Sequence, residues 1–378
     1  MQTHPMAVAA SLPAFSERLL AWFDVHGRHD LPWQQPRTAY RVWVSEVMLQ
    51  QTQVVTVIDY FNRFMARFPE LDDLAAAPLD DVLALWSGLG YYARARNLHA
   101  AARVMAAQGI PGSLAHWLAL PGVGASTAAA IMAQAFDAPA TILDGNVKRV
   151  MARHAGIDTP IEQAATIQAL YYVAKRHTPS TRLADYTQAI MDLGATVCTR
   201  SQANCAACPV SHDCVALKTE QVAHLPARRS RKPLPTRQAV FLQLEDEAGR
   251  LMLIRRPPSG IWGGLWCLPE YTPMASDDHP ATIRLDSVAA REAMLSQWSF
   301  TAQSDAVQVA AFEHRFTHYQ LNARIERVCV AARVGMQDSP DRRWFHHYDL
   351  PQALPQLGLP QPIARFLIEC AAGKGEPL

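Results

Sequence analysis

The sequence predicts a multi-domain protein, an all-α domain followed by an α+β domain, and three observations carry that prediction. The chain has 378 residues, room for two or three domains at ~150 residues each. From Pro13 to about Leu217, apolar residues recur at helical spacing in an Ala-rich background. Past the basic, proline-bearing run Arg228 to Arg237 (RRSRKPLPTR), the spacing becomes that of strands. The expected boundaries are a helical domain over 12–225, an exposed basic linker over 226–236 and a second domain over 237–373.

Within the first domain the helix breaks are expected at Gly27, Pro69, Pro78, Gly109 to Gly112, Pro121 to Gly124, Pro139 and Pro160. Ala39 to Phe68 reads as one long helical stretch with Glu46, Gln50 and Gln53 on a shared polar face, which suits a solvated surface or a polar cleft. Leu120-Pro121-Gly122-Val123-Gly124 puts two glycines in a tight turn directly before a helix. Free N–H groups at such a helix start, with the positive end of the helix dipole, can cradle a phosphate, although an ordinary helix-helix turn has the same pattern. Leu143 to Arg149 (LDGNVKR) opens another helix, for which Asp144 or Asn146 is a good N-cap. In the second domain Ala239 to Leu244, Leu251 to Ile254 and Leu321 to Val330 read as strands, and Gly373 to Leu378 as a frayed tail.

Composition excludes some classes. No apolar run approaches the ~18 residues of a membrane span, and Glu17 and Arg18 interrupt the first apolar segment, so no signal peptide is expected and the expected compartment is the cytosol. The formal net charge is +1, divided as +3 over 1–234 and −2 over 235–378. Any nucleic-acid contact must therefore come from locally placed groups rather than bulk charge.

Four of the seven cysteines form C-x6-C-x2-C-x5-C at Cys198, Cys205, Cys208 and Cys214. Four thiolates in so short a loop suit a soft metal in a reducing compartment. Only Cys205/Cys208 makes the short knuckle typical of zinc, and a 4Fe-4S cluster also takes four thiolates, so spacing leaves zinc and iron open.

Taken together, the hairpin at Leu120 to Thr127, Asp144 and the cysteine spacing resemble the endonuclease III superfamily of helix-hairpin-helix DNA glycosylases over about residues 15–217. Ser45 to Val54 (SEVMLQQTQV), Gly88 to His99 (GLGYYARARNLH) and Met191 to Thr199 (MDLGATVCT) resemble its adenine-specific, MutY-type branch. The resemblance implies a 4Fe-4S cluster on the four cysteines, and an enzyme that swings adenine out of duplex DNA and cleaves its glycosidic bond. It assigns protonation of the base to Glu46 and the anion facing an oxocarbenium-like sugar to Asp144, the division of labour of two-carboxylate glycosidases. Burial is then expected to raise the Glu46 carboxyl, and helix-start N–H groups to keep Asp144 ionised.

By the same resemblance Gln51 and Tyr91 wedge into the duplex, Trp33, Asn146 and Gln188 line the adenine pocket, and Gln34, Tyr40 and Asp192 support it. An isolated Tyr91-Tyr92 pair would otherwise read as core. Gly122, Gly124 and Ser126 belong to the DNA-binding hairpin. Strand-cutting members carry at position 126 a lysine that forms a Schiff base; here it is Ser126, with no lysine before Lys148. A monofunctional glycosylase that leaves an abasic site is expected.

Gly264 to Glu270 opens a Nudix box (G-x5-E), but Asp278-His279 stands where Arg-Glu is required. A Nudix-like fold without hydrolysis is therefore expected, resembling the C-terminal domain that reads 8-oxoguanine opposite adenine. Phe316-Thr317-His318 matches the Phe-Ser-His recognition loop of that domain apart from Thr317. The implied partner is duplex DNA with 8-oxoguanine:adenine or guanine:adenine mispairs, bound by a monomer without a membrane, in the cytoplasm or, in a bacterium, at the nucleoid. Ser126 disfavours a lyase for oxidised pyrimidines, the Glu46 and Asp144 pair disfavours a non-catalytic binder, and the broken box disfavours a Nudix hydrolase.

Overall fold

The structure is a computed structural model that describes residues 13–227, 233–271, 287–332 and 338–372. Asp278-His279, the centre of the basic run and the C-terminal tail lie outside the described residues. By contact the chain divides into two units, one formed by residues 1–75 and 100–231, the other by 76–99 and 232–378.

The helices of the first part of the chain are α1 (Phe15–His26), α2 (Ala39–Leu49), α3 (Val54–Arg67), α4 (Leu71–Ala76), α5 (Leu79–Leu85), α6 (Ala93–Gln108), α7 (Leu114–Leu118), α8 (Ala125–Phe136), α9 (Gly145–Ala155), α10 (Ala164–His177), α11 (Leu183–Asp192) and α12 (Val215–Lys218). Each expected break falls between helices. One expected helix does not form as a single piece. Ala39 to Phe68 divides into α2 and α3 because Gln51 takes a left-handed backbone (φ 59°), and Gln53 precedes α3 as its N-cap residue. Glu46, Gln50 and Gln53 therefore do not share one helix face.

The first unit is built around α8. Its residues Thr127 to Gln134 are all buried, and a helix apolar on every side belongs in an interior. The small Ala128, Ala129, Ala130 and Ala133 let neighbouring backbones approach closely, and α2, α7 and α11 pack on it. Phe15, Leu19 and Phe23 of α1, Val147, Val150 and Met151 of α9, Leu170 of α10 and Ile190 of α11 fill a continuous core. Two backbone approaches leave no room for a side chain: a Cβ on Gly156, just past α9 with φ +70°, would lie 2.5 Å from Val215, and one on Gly194 would lie 2.7 Å from the Asn146 Cβ.

In the second unit β1 (Thr236–Glu245) pairs in parallel with β7 (Gln320–Ala332), from Thr236 opposite Gln320 to Glu245 opposite Cys329. The sheet runs β3-β2-β1-β7-β5, with β2 at Arg250–Arg255, β3 at Trp266–Cys267 and β5 at Phe300–Ala302. Further antiparallel pairs join β4 (Glu270–Tyr271) to β1, β6 (Val307–Arg315) to β7 and β8 (Arg342–His346) to β2. The three expected strands lie inside β1, β2 and β7. Val240, Leu242, Leu244, Val328 and Val330 share a sheet face with the helix α13 (Ser287–Gln297), where Leu295 joins their core. Period-two alternation turns Phe241 to the other face, against Phe312 and Trp262. Residues 76–99 join this unit through Tyr92, whose hydroxyl donates to the Leu359 carbonyl (2.8 Å), and Arg96, which donates to the Gly263 carbonyl. The helices α14 (Leu350–Ala353) and α15 (Gln361–Ala371) complete it. Among the described residues no helix is long and apolar enough to cross a membrane.

Candidate active site

Glu46 sits on the last turn of α2, facing α8, where Gln134 donates from Nε2 to its Oε1 at 3.0 Å. Two helical turns earlier on α8 the Thr127 hydroxyl accepts from Gln50 (3.2 Å), so two polar pairs tie these helices together. Asp144 caps α9, accepting from the Val147 N–H at 2.7 Å. A carboxylate has lone pairs beyond those a cap uses, so capping and reactivity are compatible in one residue.

The two carboxyls are electrostatically coupled. Burial, with the nearby Asp144 charge adding to it, pushes Glu46 up to about 8, against the opposing hydrogen bond from Gln134. Burial also raises Asp144, and here it outweighs the hydrogen bonds to Val147 and Asn146 and the charge of Arg149. The helix-start N–H groups do lower Asp144, as the sequence suggested, but burial leaves the carboxyl above its ordinary range. Burial raises both carboxyls, so the pair keeps a proton at neutral pH.

Arg149, one turn into α9, orders the surroundings. Its guanidinium donates to Asn146 Oδ1 (2.8 Å), the Gly194 carbonyl (2.6 Å) and the Cys198 carbonyl (2.8 Å). Gln188 donates to Asp192 (2.7 Å), which is 1% exposed and also accepts from the Arg28 backbone and guanidinium. Trp33 is 2% exposed, edge-on to Phe61. In the hairpin Gly122 (φ +75°) and Gly124 are exposed, Gly124 is the N-cap residue of α8, and Ser126 is half-buried on its first turn. Gln51 is exposed at the break between α2 and α3.

Reasoning from sequence missed Gln134 and Arg149. A lone glutamine inside the otherwise apolar, alanine-rich stretch of α8 was the available signal for the first. Arg149 gave none, because a helix-start arginine is ordinary.

Cys198, Cys205, Cys208 and Cys214 are free thiols bordering one pocket with an apolar lining. Arg153 donates to Cys198 Sγ (3.3 Å), the Thr199 carbonyl (2.7 Å) and the Leu225 carbonyl (2.8 Å), fastening the loop. Burial pushes Cys208 up to about 11 and raises Cys214, with the neighbouring thiols adding to each shift. Four half-buried sulfurs around one pocket fit a positively charged soft centre. As the side chains stand, no group of three or more His, Cys, Asp or Glu among the described residues makes a closed metal-binding set.

In the second unit Tyr91 and Tyr92 separate sharply. Tyr92 is buried with its hydroxyl bonded, as core packing would have it, whereas Tyr91 is 48% exposed with φ +48°. Phe316, Thr317 and His318 form the turn between β6 and β7. Thr317 and His318 are exposed, and the Phe316 ring lies against Trp262, His314 and Tyr319. Glu270, the last residue of the partial Nudix box, is engaged by Arg256.

The fold and the carboxylate pair define a helix-hairpin-helix base-excision enzyme, and comparison with known proteins agrees. The family model for HhH-GPD superfamily base excision DNA repair proteins matches residues 44–174, and the NUDIX domain model matches 239–369. The adenine DNA glycosylase of Buchnera aphidicola (subspecies Schizaphis graminum) is 32% identical over 93% of this chain and 97% of its own. That of Mus musculus is 34% identical over 90% of this chain and 76% of its own. The solved structure of a thermostable thymine-DNA glycosylase shares 26% identity over 54% of this chain and 95% of its own, with a TM-score of 0.49. The chain belongs to the adenine DNA glycosylase family, N-glycosyl hydrolases of base excision repair.

Proposed function

We propose that the enzyme excises adenine mispaired with 8-oxoguanine or guanine in duplex DNA, with Glu46 as proton donor and Asp144 as the anion facing the sugar. The reading is carried by the coupled Glu46 and Asp144 carboxyls, one of them protonated at neutral pH. Once adenine is extruded, Glu46 gives its proton to the base. The C1′–N bond then breaks with its electron pair leaving on adenine, and Asp144 faces the positive charge left on the sugar. Water adds at C1′ and loses a proton, giving an abasic site. With Ser126 in the hairpin and no amine to form a Schiff base, the strand stays intact.

Trp33, Asn146 and Gln188 serve the adenine pocket. Gly122, Gly124 and Ser126 hold backbone phosphate, and Gln51 and Tyr91 enter the duplex. Phe316, Thr317 and His318 read 8-oxoguanine. Cys198, Cys205, Cys208 and Cys214 would hold a 4Fe-4S cluster, which supplies structure or damage search when bound and takes no part in bond cleavage. The protein acts as a cytoplasmic or nucleoid-associated monomer, with the glycosylase domain over 12–225, the linker over 226–236 and the reading domain over 237–373.

A labelled 8-oxoguanine:adenine duplex tests this reading directly. Breaks that appear only after alkali support it, breaks without alkali indicate a lyase, and intact strands indicate a binder. The visible absorption spectrum of purified protein tests the cluster: a brown protein with a broad visible band would mark iron-sulfur, and a colourless zinc protein would overturn that assignment.

A further inference from the structure

Two segments of the second unit to which DNA contacts are assigned above, the Tyr91 loop and the Phe316 to His318 turn, are joined through a third segment that has no role so far. This is the turn from Pro257 to Gly264. It is closed tightly: the Gly264 N–H donates to the Arg256 and Pro257 carbonyls, the Leu265 N–H donates to the Trp262 carbonyl, and Arg256 donates from Nε to the Ile261 carbonyl. A Cβ on Gly263 would lie 2.6 Å from the Pro258 carbonyl oxygen, so the backbone has no slack there. Trp262 is held in the left-handed region (φ +55°), a costly conformation for a tryptophan that persists only where the surroundings enforce it.

The turn has two working ends. On one, the buried Trp262 ring lies 5.4 Å from Phe316 and 5.5 Å from His314, at the base of the β6–β7 turn. On the other, the Gly263 carbonyl accepts from Arg96 at 2.5 Å. The Arg96 stem passes close to Gly264, where a Cβ would meet its Cδ at 3.6 Å. Arg96 lies on the first turn of α6, and its N–H donates to the Tyr92 carbonyl. Tyr92 in turn accepts from the Gly88 N–H and donates to Leu359, fixing the loop on either side of Tyr91. Aromatic contact, carbonyl and guanidinium thus make one continuous path from Phe316 to Tyr91.

We propose that Trp262 and Arg96 are positioning residues that lock the Tyr91 loop and the Phe316 to His318 turn into one rigid frame, so that the base read by one sets the wedge of the other. The inference rests on the function proposed above. Discrimination for 8-oxoguanine is then a property of the frame, and a loose joint costs preference even when every DNA-contacting side chain is present.

A double-mutant cycle in the full-length protein tests it. Single-turnover rates and substrate affinity are measured on 8-oxoguanine:adenine and guanine:adenine duplexes for Arg96→Met, Phe316→Ala and the pair. Extrusion is followed by the fluorescence of 2-aminopurine placed opposite 8-oxoguanine. Arg96→Met, which keeps the stem and removes the donor, should lower the 8-oxoguanine preference and the fluorescence rise by roughly five- to tenfold, the scale of one hydrogen bond. The double variant should be no worse than the more severe single one. Arg96→Lys should restore part of the loss, and Trp262→Phe should reproduce it, which keeps the test open if one variant folds poorly. Multiplying effects, or an unchanged preference in Arg96→Met while Phe316→Ala loses it, would overturn the coupling alone. An unchanged preference in Phe316→Ala would overturn the reading role of the turn, and the coupling with it.

Discussion

The carboxylate site of the first unit and the Phe316 to His318 turn of the second solve opposite problems. Glu46 and Asp144 are half-buried carboxyls on which burial makes charge expensive, so that a carboxylic acid stays protonated at neutral pH. Thr317 and His318 stand in solvent at the tip of a hairpin, backed by packed aromatic rings. Under the proposed function, bond cleavage is served by burial and recognition by reach, each within its own unit.

The contrast breaks first at the carboxylates. Glu46→Gln and Asp144→Asn should each lower single-turnover adenine release by on the order of 10²- to 10⁴-fold, with DNA affinity retained in a binding assay; near-normal excision by either variant would remove that residue from the chemistry. In the second unit Phe316→Ala should lower the 8-oxoguanine:adenine over guanine:adenine preference by roughly tenfold while guanine:adenine excision persists. The point substitution is a sharper probe than deleting 235–378. Leu359 and Gly263 bond residues 76–99, so the deletion would strip Tyr92 and Arg96 of partners as well as removing the turn.

The pH dependence sharpens the burial argument. With Glu46 as the proposed acid, the cleavage rate should fall as pH rises through about 8. Stability follows the same group. Between the ordinary glutamate range and about 8 the folded chain holds a proton that the unfolded chain has released, so stability falls across that window as pH rises. Glu46→Gln removes this loss, and its melting temperature should gain on the parent between pH 5 and pH 9. Gly156→Ala, forced into a positive φ and against Val215, should cost about 1–3 kcal/mol, read as a lower urea midpoint. The smallest effect is expected from Gln134→Leu. It removes the hydrogen bond that holds Glu46 down, so the alkaline fall in rate should move to higher pH by a fraction of a unit.

Much of this is legible in the amino-acid sequence. Glycine and proline positions marked the helix breaks, since those residues punctuate a chain whatever surrounds them. Cap chemistry placed Asp144 at a helix start, and the change of period located β1, β2 and β7. The break between α2 and α3 was hidden because the apolar spacing continues across Gln50 to Gln53 and no glycine or proline marks the left-handed Gln51. Very short strands such as β3 and β4 carry too few residues to show a period. That residues 76–99 pack with the second unit could not be read, because helical periodicity shows that a face is buried and not what buries it.

The helix α9 is closed in at both ends by residues that have no side chain to yield. At its C-terminal end Gly156 lies against Val215, and beside its first turn Gly194 lies against Asn146, each too close to admit even a methyl group. A rod seated this closely has no room for added bulk at either contact. The main chain that carries Asp144 is thereby fixed in place, and under the proposed function a reacting nucleotide would meet a carboxylate whose backbone anchor is already set.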